Sequence, residues 1–346
     1  MLRTLFPLAL LAMSAPSIGD DFAWQKLVEL TDPSSAIGAR PGGSAKERQT
    51  AAWLTQEWQA LGHKVKEMPF DFELRGLPLS SSNLSITIKG KSKKTILIGA
   101  HYDSTGEKHG SLGTIDNCSG VAALLGLANR LSEQTPAHTV RLVAFGAEEI
   151  GLQGSRAYVN DRQEPLGPVI AMINLDTIIG GDKLYVHSAL ESGYECNDTK
   201  GGKFTSSVKV RDALLEIAQG QYGDDAHGLH PAYSDYPEGQ TGDWSDHAPF
   251  ACSGIPIAYL EATNFDINGH SGYDGYSQTS HAKLWDCYDS NTSGACDREK
   301  ESKWGMIWHT QFDRLDQLQP LFQQRLQTQL KQNVELLEAY LMQASF

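Results

Sequence analysis

The chain has 346 residues, 40% of them hydrophobic and 33 of them Gly, which is the composition of a globular protein with one large domain or two smaller ones. It carries 29 basic and 42 acidic residues, a formal net charge of −13. Because phosphate binding needs a basic surface, this charge argues against nucleic acid as a partner. An acidic surface can attract cationic substrates over long range, although it more often serves solubility.

The N-terminus has the pattern of a secretory signal. Arg3 precedes an apolar run at residues 5–13, and small residues follow at Ser14 and Ala15. The run is too short to cross a bilayer, and no Cys follows it that could carry a lipid anchor. We therefore expect residues 1–19 to be removed and the mature chain to be a monomer without a membrane anchor, periplasmic or secreted.

Five Cys fit an exported protein, which can keep disulfides. Cys287 and Cys296 bracket a short polar loop that contains Gly, and we predict that they pair. Cys196 and Cys252 are candidates for a second bridge, which leaves Cys118 over. No Cys-x-x-Cys pair is present, and this argues against a structural zinc site of the cysteine type.

The predicted elements begin with an amphipathic helix at 45–61, which Gly62 ends. Strands are predicted at 65–72 and 83–88, then a turn at 90–94. Further elements follow in chain order: strand 95–100, helix 119–131, strand 139–145, helix 152–159, strand 168–175, strand 183–187, helix 208–219, strand 255–260 and helix 318–343.

This alternation predicts an α/β fold, a mixed and largely parallel central sheet with helices on both faces. We expect residues 20–346 to form a single domain. Two stretches rich in Gly, Ser, Asp and Tyr, 220–246 and 264–303, are predicted to be long loops around a site, since strand and helix patterns resume after each.

Residues of metal-ligand type end or follow several of the apolar runs: His101, Asp103, Asp116, Glu148, Glu149, Asp176 and, far downstream, His309. Strand ends are where open α/β sheets place their sites. Carboxylates mixed with imidazoles suit zinc or a similar divalent ion, and two such ions close together promote hydrolysis. These residues predict a metal-dependent hydrolase.

The charges of such a centre balance. Two divalent ions bring four positive charges, and the carboxylates of Asp116, Glu149 and Asp176 bring three negative ones. A bridging hydroxide brings the sum to zero, which avoids burying uncompensated charge.

Six ordered segments carry a family resemblance: Gly99-Ala-His101-Tyr-Asp103-Ser, Gly113-Thr-Ile-Asp116-Asn-Cys-Ser-Gly120, Phe145-Gly-Ala-Glu148-Glu149-Ile-Gly151, Asn174-Leu-Asp176, Ser245-Asp246-His247 and Trp308-His309-Thr310. The chain resembles the M28 family of zinc aminopeptidases over about residues 45–340. Residues 242–250 and 259–264 are most similar to the alkaline phosphatase isozyme conversion aminopeptidases.

The resemblance implies a zinc-dependent exopeptidase fold, two Zn²⁺ ions and a role for each residue. Asp116 bridges the ions, His101 and Asp176 complete one site, and Glu149 and His309 complete the other. Glu148 takes the proton from the attacking water, while Asp103 orients His101 through its second ring nitrogen. The substrate is the N-terminus of a peptide or protein.

Each assignment has an ordinary alternative. Glu148 and Glu149 could be an exposed acidic pair, and Asp116 could be a helix N-cap unless Asn117 or Ser119 takes that role. Other His in the C-terminal half compete with His309. The alternative enzyme is a single-zinc glutaminyl cyclase-like acyltransferase, which lacks the His of the first motif, and a non-catalytic ectodomain on the same fold is a third hypothesis.

For the substrate, the acidic charge and the likeness to conversion aminopeptidases predict a basic first residue, Arg or Lys. Glu261 and Asp243 are the candidate acids for a guanidinium, with Asp266 third. His247 and Asp246 are further candidates for substrate binding: His247 is predicted to help shape the pocket, and Asp246 to orient a neighbouring residue. The alternative is that these acids bind the α-ammonium group or only brace loops.

Overall fold

The computed structural model describes residues 22–32, 37–106, 109–200, 202–233, 235–267 and 275–343. The predicted export signal at 1–19 lies outside these residues. Among the described residues, no helix is both long enough and apolar enough to cross a membrane.

The described helices are α1 Phe22–Thr31, α2 Ala45–Ala60, α3 Ser119–Arg130, α4 Gln153–Asn160, α5 Lys209–Tyr222, the four-residue α6 Ala248–Ala251 and α7 Leu315–Gln343. Helix α2 begins where the Ser44 side chain accepts a hydrogen bond from the Glu47 backbone N–H at 3.1 Å. Nearly all of α3 is buried, as its run of Val, Ala and Leu predicts.

Eight strands form the central sheet: β1 Lys66–Leu74, β2 Leu77–Ile88, β3 Ser92–His101, β4 His138–Phe145, β5 Val169–Leu175, β6 Lys183–Ala189, β7 Gln240–Thr241 and β8 Ile257–Thr263. Across the sheet they lie in the order β1-β2-β4-β3-β5-β8-β6-β7. A separate hairpin pairs β9 Tyr288–Asp289 with β10 Gly294–Ala295.

The centre of the sheet is parallel. Strand β3 pairs in parallel with both β4 and β5, and β8 pairs in parallel with β5. Strands β1, β2 and β6 are antiparallel to their inner neighbours. The carboxyl ends of β3, β4, β5 and β8 therefore lie at one edge of the sheet, where an open α/β sheet forms its crevice.

Helices cover both faces of the sheet, which confirms the predicted fold class. One core cluster lies between the sheet and helices α1, α2, α3, α5 and α7, with Leu27, Trp58 and Leu337 among its buried residues. A smaller cluster on the other face packs Phe145 of β4 against Tyr158 of α4 and Phe250 of α6. Strands buried on both faces explain the continuous apolar runs in the sequence.

The sequence pattern did not predict α1 or the β9–β10 hairpin. Helix α1 packs against α3 and α7 and buries Ala23, Leu27 and Leu30, a spacing that the sequence already shows. The hairpin is closed by a disulfide between Cys287 and Cys296, and a second disulfide joins Cys196 to Cys252. Cys118 is a buried free thiol, as predicted.

Candidate metal centre

Two triads of potential ligands meet at the carboxyl edge of the sheet. His101, Asp116 and Asp176 form the first triad, and Asp116, Glu149 and His309 form the second; within each, one donor atom per residue lies within 4.8 Å of the others. His101 ends β3, Asp176 follows β5, and Glu149 follows β4. His309 comes from the loop before α7 and has a left-handed backbone, φ +58°.

Asp116 belongs to both triads because its two carboxylate oxygens face different histidines. Its Oδ1 lies 3.2 Å from Nε2 of His101, and its Oδ2 lies 3.1 Å from Nε2 of His309. The residue sits in the segment Thr114–Cys118, where its backbone leaves helical geometry at φ −118° and ψ 87°. A carboxylate presented in this way can bridge two cations.

The spacing of the donor atoms fits zinc. In a tetrahedral site with metal–ligand distances near 2.0–2.1 Å, neighbouring ligand atoms lie about 3.3 Å apart. Nε2 of His101 lies 3.4 Å from Oδ1 of Asp176, and Nε2 of His309 lies 2.9 Å from Oε2 of Glu149. The mixed nitrogen and carboxylate oxygen donors are also those that zinc accepts.

Buried acids outnumber the two imidazoles at the centre, and their pKa values respond to that excess. Burial by itself would raise the pKa of Asp116, yet hydrogen bonds from His101 and His309 hold it well below its usual value. Burial and the neighbouring Asp116 raise the pKa of Glu149 to about 7, despite the opposing contact with His309. A cation between these groups relieves the repulsion.

Glu148 lies beside the triads. It follows β4, is 8% exposed, and its Oε2 lies 3.9 Å from Nε2 of His101. Burial raises its pKa well above the usual value; His101 opposes the rise, and the carboxylates of Asp246 and Asp176 add to it. The carboxyl group of Glu148 is thus held next to the candidate ligands without belonging to either triad.

Asp103 contacts both His101 and the segment that carries the two glutamates. Its Oδ1 lies 3.5 Å from Nδ1 of His101, the ring nitrogen opposite the triad. The carboxylate also accepts hydrogen bonds from the backbone N–H groups of Glu148, at 2.9 Å, and Glu149, at 3.2 Å. Asp103 therefore connects the end of β3 to the end of β4.

Asp116 is free of a capping role. The side chain of Asn117 accepts a hydrogen bond from the backbone N–H of Gly120 at 3.0 Å, so Asn117 caps the start of α3, one of the two residues that the sequence offered for this role.

On the other side of the centre, the hydroxyl of Ser245 donates to Oδ2 of Asp176 at 2.8 Å, which leaves Oδ1 of Asp176 directed at His101.

A cavity of about 670 Å³ opens over the centre. Its floor includes Asp116, Glu148, Glu149, Asp176 and His309. About half of the other lining residues are aromatic: Tyr233, Tyr236, Trp244, Tyr259, Phe265, Tyr276 and Trp308. A volume of this size suits a small organic ligand or the end of a peptide.

Two acids stand in the cavity wall. Glu261, on β8, has its Oε1 2.8 Å from Nε2 of the buried His187, and its Oε2 accepts from the hydroxyl of Tyr259 at 3.4 Å. Asp243 also lines the cavity, but its side chain is exposed. Both candidates from the sequence therefore reach the cavity, and Glu261 is the one held by neighbouring side chains.

Three other predicted contacts do not reach the cavity wall. Asp246 and His247 are fully buried, and Nε2 of His247 lies 2.8 Å from the carbonyl oxygen of Gly242. Asp266 forms an ion pair with Lys183 on the surface. The sequence alone could not tell which of these side chains line the cavity, because the side chains of neighbouring loop residues point in different directions. His247 nevertheless stacks on Tyr259 of the cavity wall, with ring centroids 5.1 Å apart, so its part in shaping the pocket stays a prediction.

Most of the aromatic side chains of the cavity wall, and two buried charged residues before β1, were not predicted from the sequence. Trp244 and Trp308 stood inside the quoted motifs, so a signal was present for them. Arg40 donates from Nε to the carbonyl of Tyr102 at 2.9 Å and from Nη1 to that of Leu112 at 2.8 Å. It thereby joins the loops on either side of the first triad. The second buried residue is Glu47.

Comparison with known proteins places the centre within a matched region. Residues 83–333 match the profile described as Peptidase family M28, a span that includes both triads. The chain is 27% identical over 268 residues to the alkaline phosphatase isozyme conversion protein of Escherichia coli K12, covering 69% of this chain and 72% of that protein. It is 30% identical over 214 residues to an aminopeptidase of Pseudomonas aeruginosa, covering 60% and 36%.

Solved structures share the fold. A zinc aminopeptidase from Bacillus subtilis superposes with a TM-score of 0.63 at 18% identity, covering 94% of this chain and 95% of that one. A glutaminyl cyclase from Porphyromonas gingivalis superposes with a TM-score of 0.61 at 21% identity, covering 93% and 97%. At these identities the likeness concerns the fold, which hosts both chemistries.

Proposed function

Since the chain belongs to peptidase family M28, and is therefore a metal-dependent peptide hydrolase, we propose that it is an aminopeptidase that uses two zinc ions to remove the first residue of peptides or proteins. The observation that carries this proposal is the placement of the two oxygens of Asp116, which face one histidine each. With Asp116, His101 and Asp176 would hold one zinc, and Glu149 and His309 would hold the other.

The residues around the centre supply the remaining steps. Bound zinc would polarise the substrate carbonyl and make water a stronger acid. The carboxylate of Glu148 takes the proton of the attacking water and returns it to the departing amine. Asp103 holds the backbone of Glu148 and Glu149 through its two oxygens, so that the proton acceptor keeps its place relative to the ligands.

We propose that the enzyme prefers Arg or Lys as the first residue. Glu261 supports this, because it lies in the cavity wall with its carboxylate directed by His187. Tyr236 and Trp244 line the same cavity, and a guanidinium can stack on aromatic faces of this kind. The net charge of −13 adds a long-range attraction for cationic substrates.

A panel of aminoacyl reporter amides, with Arg, Lys and Leu as the first residue, tests the activity. We expect hydrolysis with higher kcat/KM for Arg and Lys than for Leu, loss of activity with a chelator, and about two zinc ions per chain by metal analysis. Full activity with one ion per chain contradicts the two-zinc proposal, and a Leu preference contradicts the basic specificity.

Glutaminyl cyclase activity is the alternative, since a glutaminyl cyclase shares the fold. The presence of His101 in the first triad argues for two metal sites and against a single-zinc cyclase. Incubation of a peptide that begins with Gln decides between them. Release of free Gln supports the aminopeptidase, whereas release of ammonia with a cyclised peptide identifies the cyclase.

We propose that the protein works outside the cytoplasm, in the periplasm or the medium, as a monomer. Its two disulfides support this location, since disulfides persist in oxidising compartments. N-terminal sequencing of the protein from the periplasmic or medium fraction checks the prediction that residues 1–19 are absent.

A further inference from the structure

Three consecutive backbone N–H groups beside the metal centre are bound by buried carboxylates. Those of Glu148 and Glu149 donate to Asp103, and that of Ala147 donates to Oε1 of Glu47 at 2.9 Å. Glu47 lies in the first turn of α2, one hundred residues before Ala147. We call residues 147–149 the glutamate loop.

Glu47 is fully buried and satisfied by donors from three parts of the chain. Its Oε1 also accepts from the hydroxyl of Ser81 at 2.8 Å, and its Oε2 accepts from the backbone N–H of Gly43 at 2.5 Å. Gly43 is the residue before the N-cap Ser44, so this contact ties the first turn of α2 to the segment that leads into it. The contact with Ala147 has no part in capping, because it reaches a distant loop.

The glutamate loop needs external support. Ala147 has φ +55°, a left-handed conformation that costs a residue with a Cβ about 1–2 kcal/mol. The turn that contains Gly42 packs closely on it, since a Cβ placed on Gly42 would lie 2.9 Å from Cα of Ala147. This strained residue directly precedes Glu148, so its conformation sets the direction in which the Glu148 side chain leaves the backbone.

We propose that Glu47 is a positioning residue for catalysis: through its hydrogen bond to Ala147 it holds the glutamate loop in the conformation that aims Glu148 at the metal centre. Glu47 lies outside residues 83–333, which match the family profile. The inference rests on the proposed role of Glu148 as the proton acceptor.

The direct test replaces Glu47 by Ala and by Gln. Glu47→Ala should lower kcat on the best reporter amide by about a hundredfold, since small displacements of a catalytic group have effects of that size. KM should change less than about twofold, and the zinc content should stay that of wild type. Glu47→Gln should lose less, because its amide oxygen can still accept from Ala147.

Ser44→Ala is the matched control. It removes the side-chain cap of the same helix terminus and leaves the contact with the glutamate loop in place. We expect it to lower the thermal stability, as cap removal usually does, and to leave kcat unchanged. If Glu47→Ala and Ser44→Ala both lower stability and both leave kcat unchanged, Glu47 is only a capping residue and the proposal is wrong.

A second-site change gives an independent check. Gly adopts positive φ without the cost that Ala incurs, so Ala147→Gly in the Glu47→Ala background should recover part of the lost kcat. In the Glu47→Gln background, Ala147→Gly should restore less kcat, since Glu47→Gln by itself loses less. A double variant that is further impaired contradicts a positioning role exerted through the Ala147 conformation.

Amide hydrogen exchange of the metal-free protein separates this inference from the proposed function, because it needs neither substrate nor zinc. In Glu47→Ala, the exchange rate of a peptide that covers 145–152 should rise above that of wild type. The rise should be at least about tenfold larger than in peptides from the other helices and strands of the same protein. If wild type hydrolyses no aminoacyl amide, the proposed function fails while this result still tests the loop. Unchanged exchange in 145–152 overturns the inference.

Discussion

Glu148 and Glu149 are adjacent in the chain but contribute differently to the site. Glu149 belongs to the second triad with His309, whereas Glu148 belongs to neither triad. We expect Glu148→Gln to keep the metal content of wild type, two zinc ions under the proposed function, and to lose at least about two orders of magnitude in kcat, a typical contribution of a general base. Glu149→Gln should in addition lower the zinc content. Metal analysis beside steady-state kinetics distinguishes them, and a Glu148→Gln variant with wild-type rate places the proton acceptor elsewhere.

Glu261 and Asp243 both line the cavity, but only Glu261 is oriented by neighbours, His187 and Tyr259. Glu261→Gln should reduce the ratio of kcat/KM for Arg over Leu by about tenfold or more, because a charge-assisted hydrogen bond contributes roughly 1.5–3 kcal/mol. Asp243→Asn, at an exposed position, serves as the comparison and should change the ratio less. If neither variant changes it, any Arg preference comes from other parts of the cavity.

At the scale of elements, the two disulfides close loops of different length. Cys196 and Cys252 are separated by 56 positions and join the segment after β6 to the end of α6, whereas Cys287 and Cys296 are separated by 9 around the hairpin. In the loop-entropy model these bridges stabilise by about 4 and about 3 kcal/mol respectively. Replacing each pair by Ala should lower the melting temperature, with the larger decrease for Cys196 and Cys252. Calorimetry of the two double variants checks the order.

At the scale of the whole molecule, buried His227 should make stability depend on pH. Burial lowers its pKa from 6.5 to about 4, opposed only in part by its hydrogen bond to Asn333. Between these values the unfolded chain binds a proton that the folded chain does not, so unfolding becomes easier as the pH falls. The free energy of unfolding should drop by up to about 3 kcal/mol between pH 6.5 and pH 4 from this residue.

Urea unfolding of the metal-free protein over this pH range measures the effect without the contribution of zinc release. In His227→Gln the pH dependence should become shallower than in wild type. His63→Gln, at a partly exposed position, is a suitable comparison. An equal slope in wild type and His227→Gln contradicts the assignment.

The sequence by itself predicted strands β1 to β6 and β8 and named the five candidate ligands, but it indicated neither β7 nor the β9–β10 hairpin. Each ligand except His309 follows an apolar run or precedes α3, and such periodic patterns depend on neighbours a few residues apart. The alternation of strands and helices was enough to predict a sheet covered on both faces, and parallel strands deliver their carboxyl ends to one edge. Local chemistry also predicted that Asn117 could cap α3 and leave Asp116 free.

Only the tertiary structure decided which side chains meet. The two oxygens of Asp116 face histidines that lie 15 positions before it and 193 positions after it in the chain. No local sequence pattern indicates that these three residues meet. The tertiary structure also separated Glu261, in the cavity wall, from Asp246 and His247, which are buried and do not line the cavity. The hydrogen bond between Glu47 and Ala147 likewise joins residues that are far apart in the chain. Such contacts depend on the path of loops and on packing between distant elements, so they appear only when the whole chain is folded.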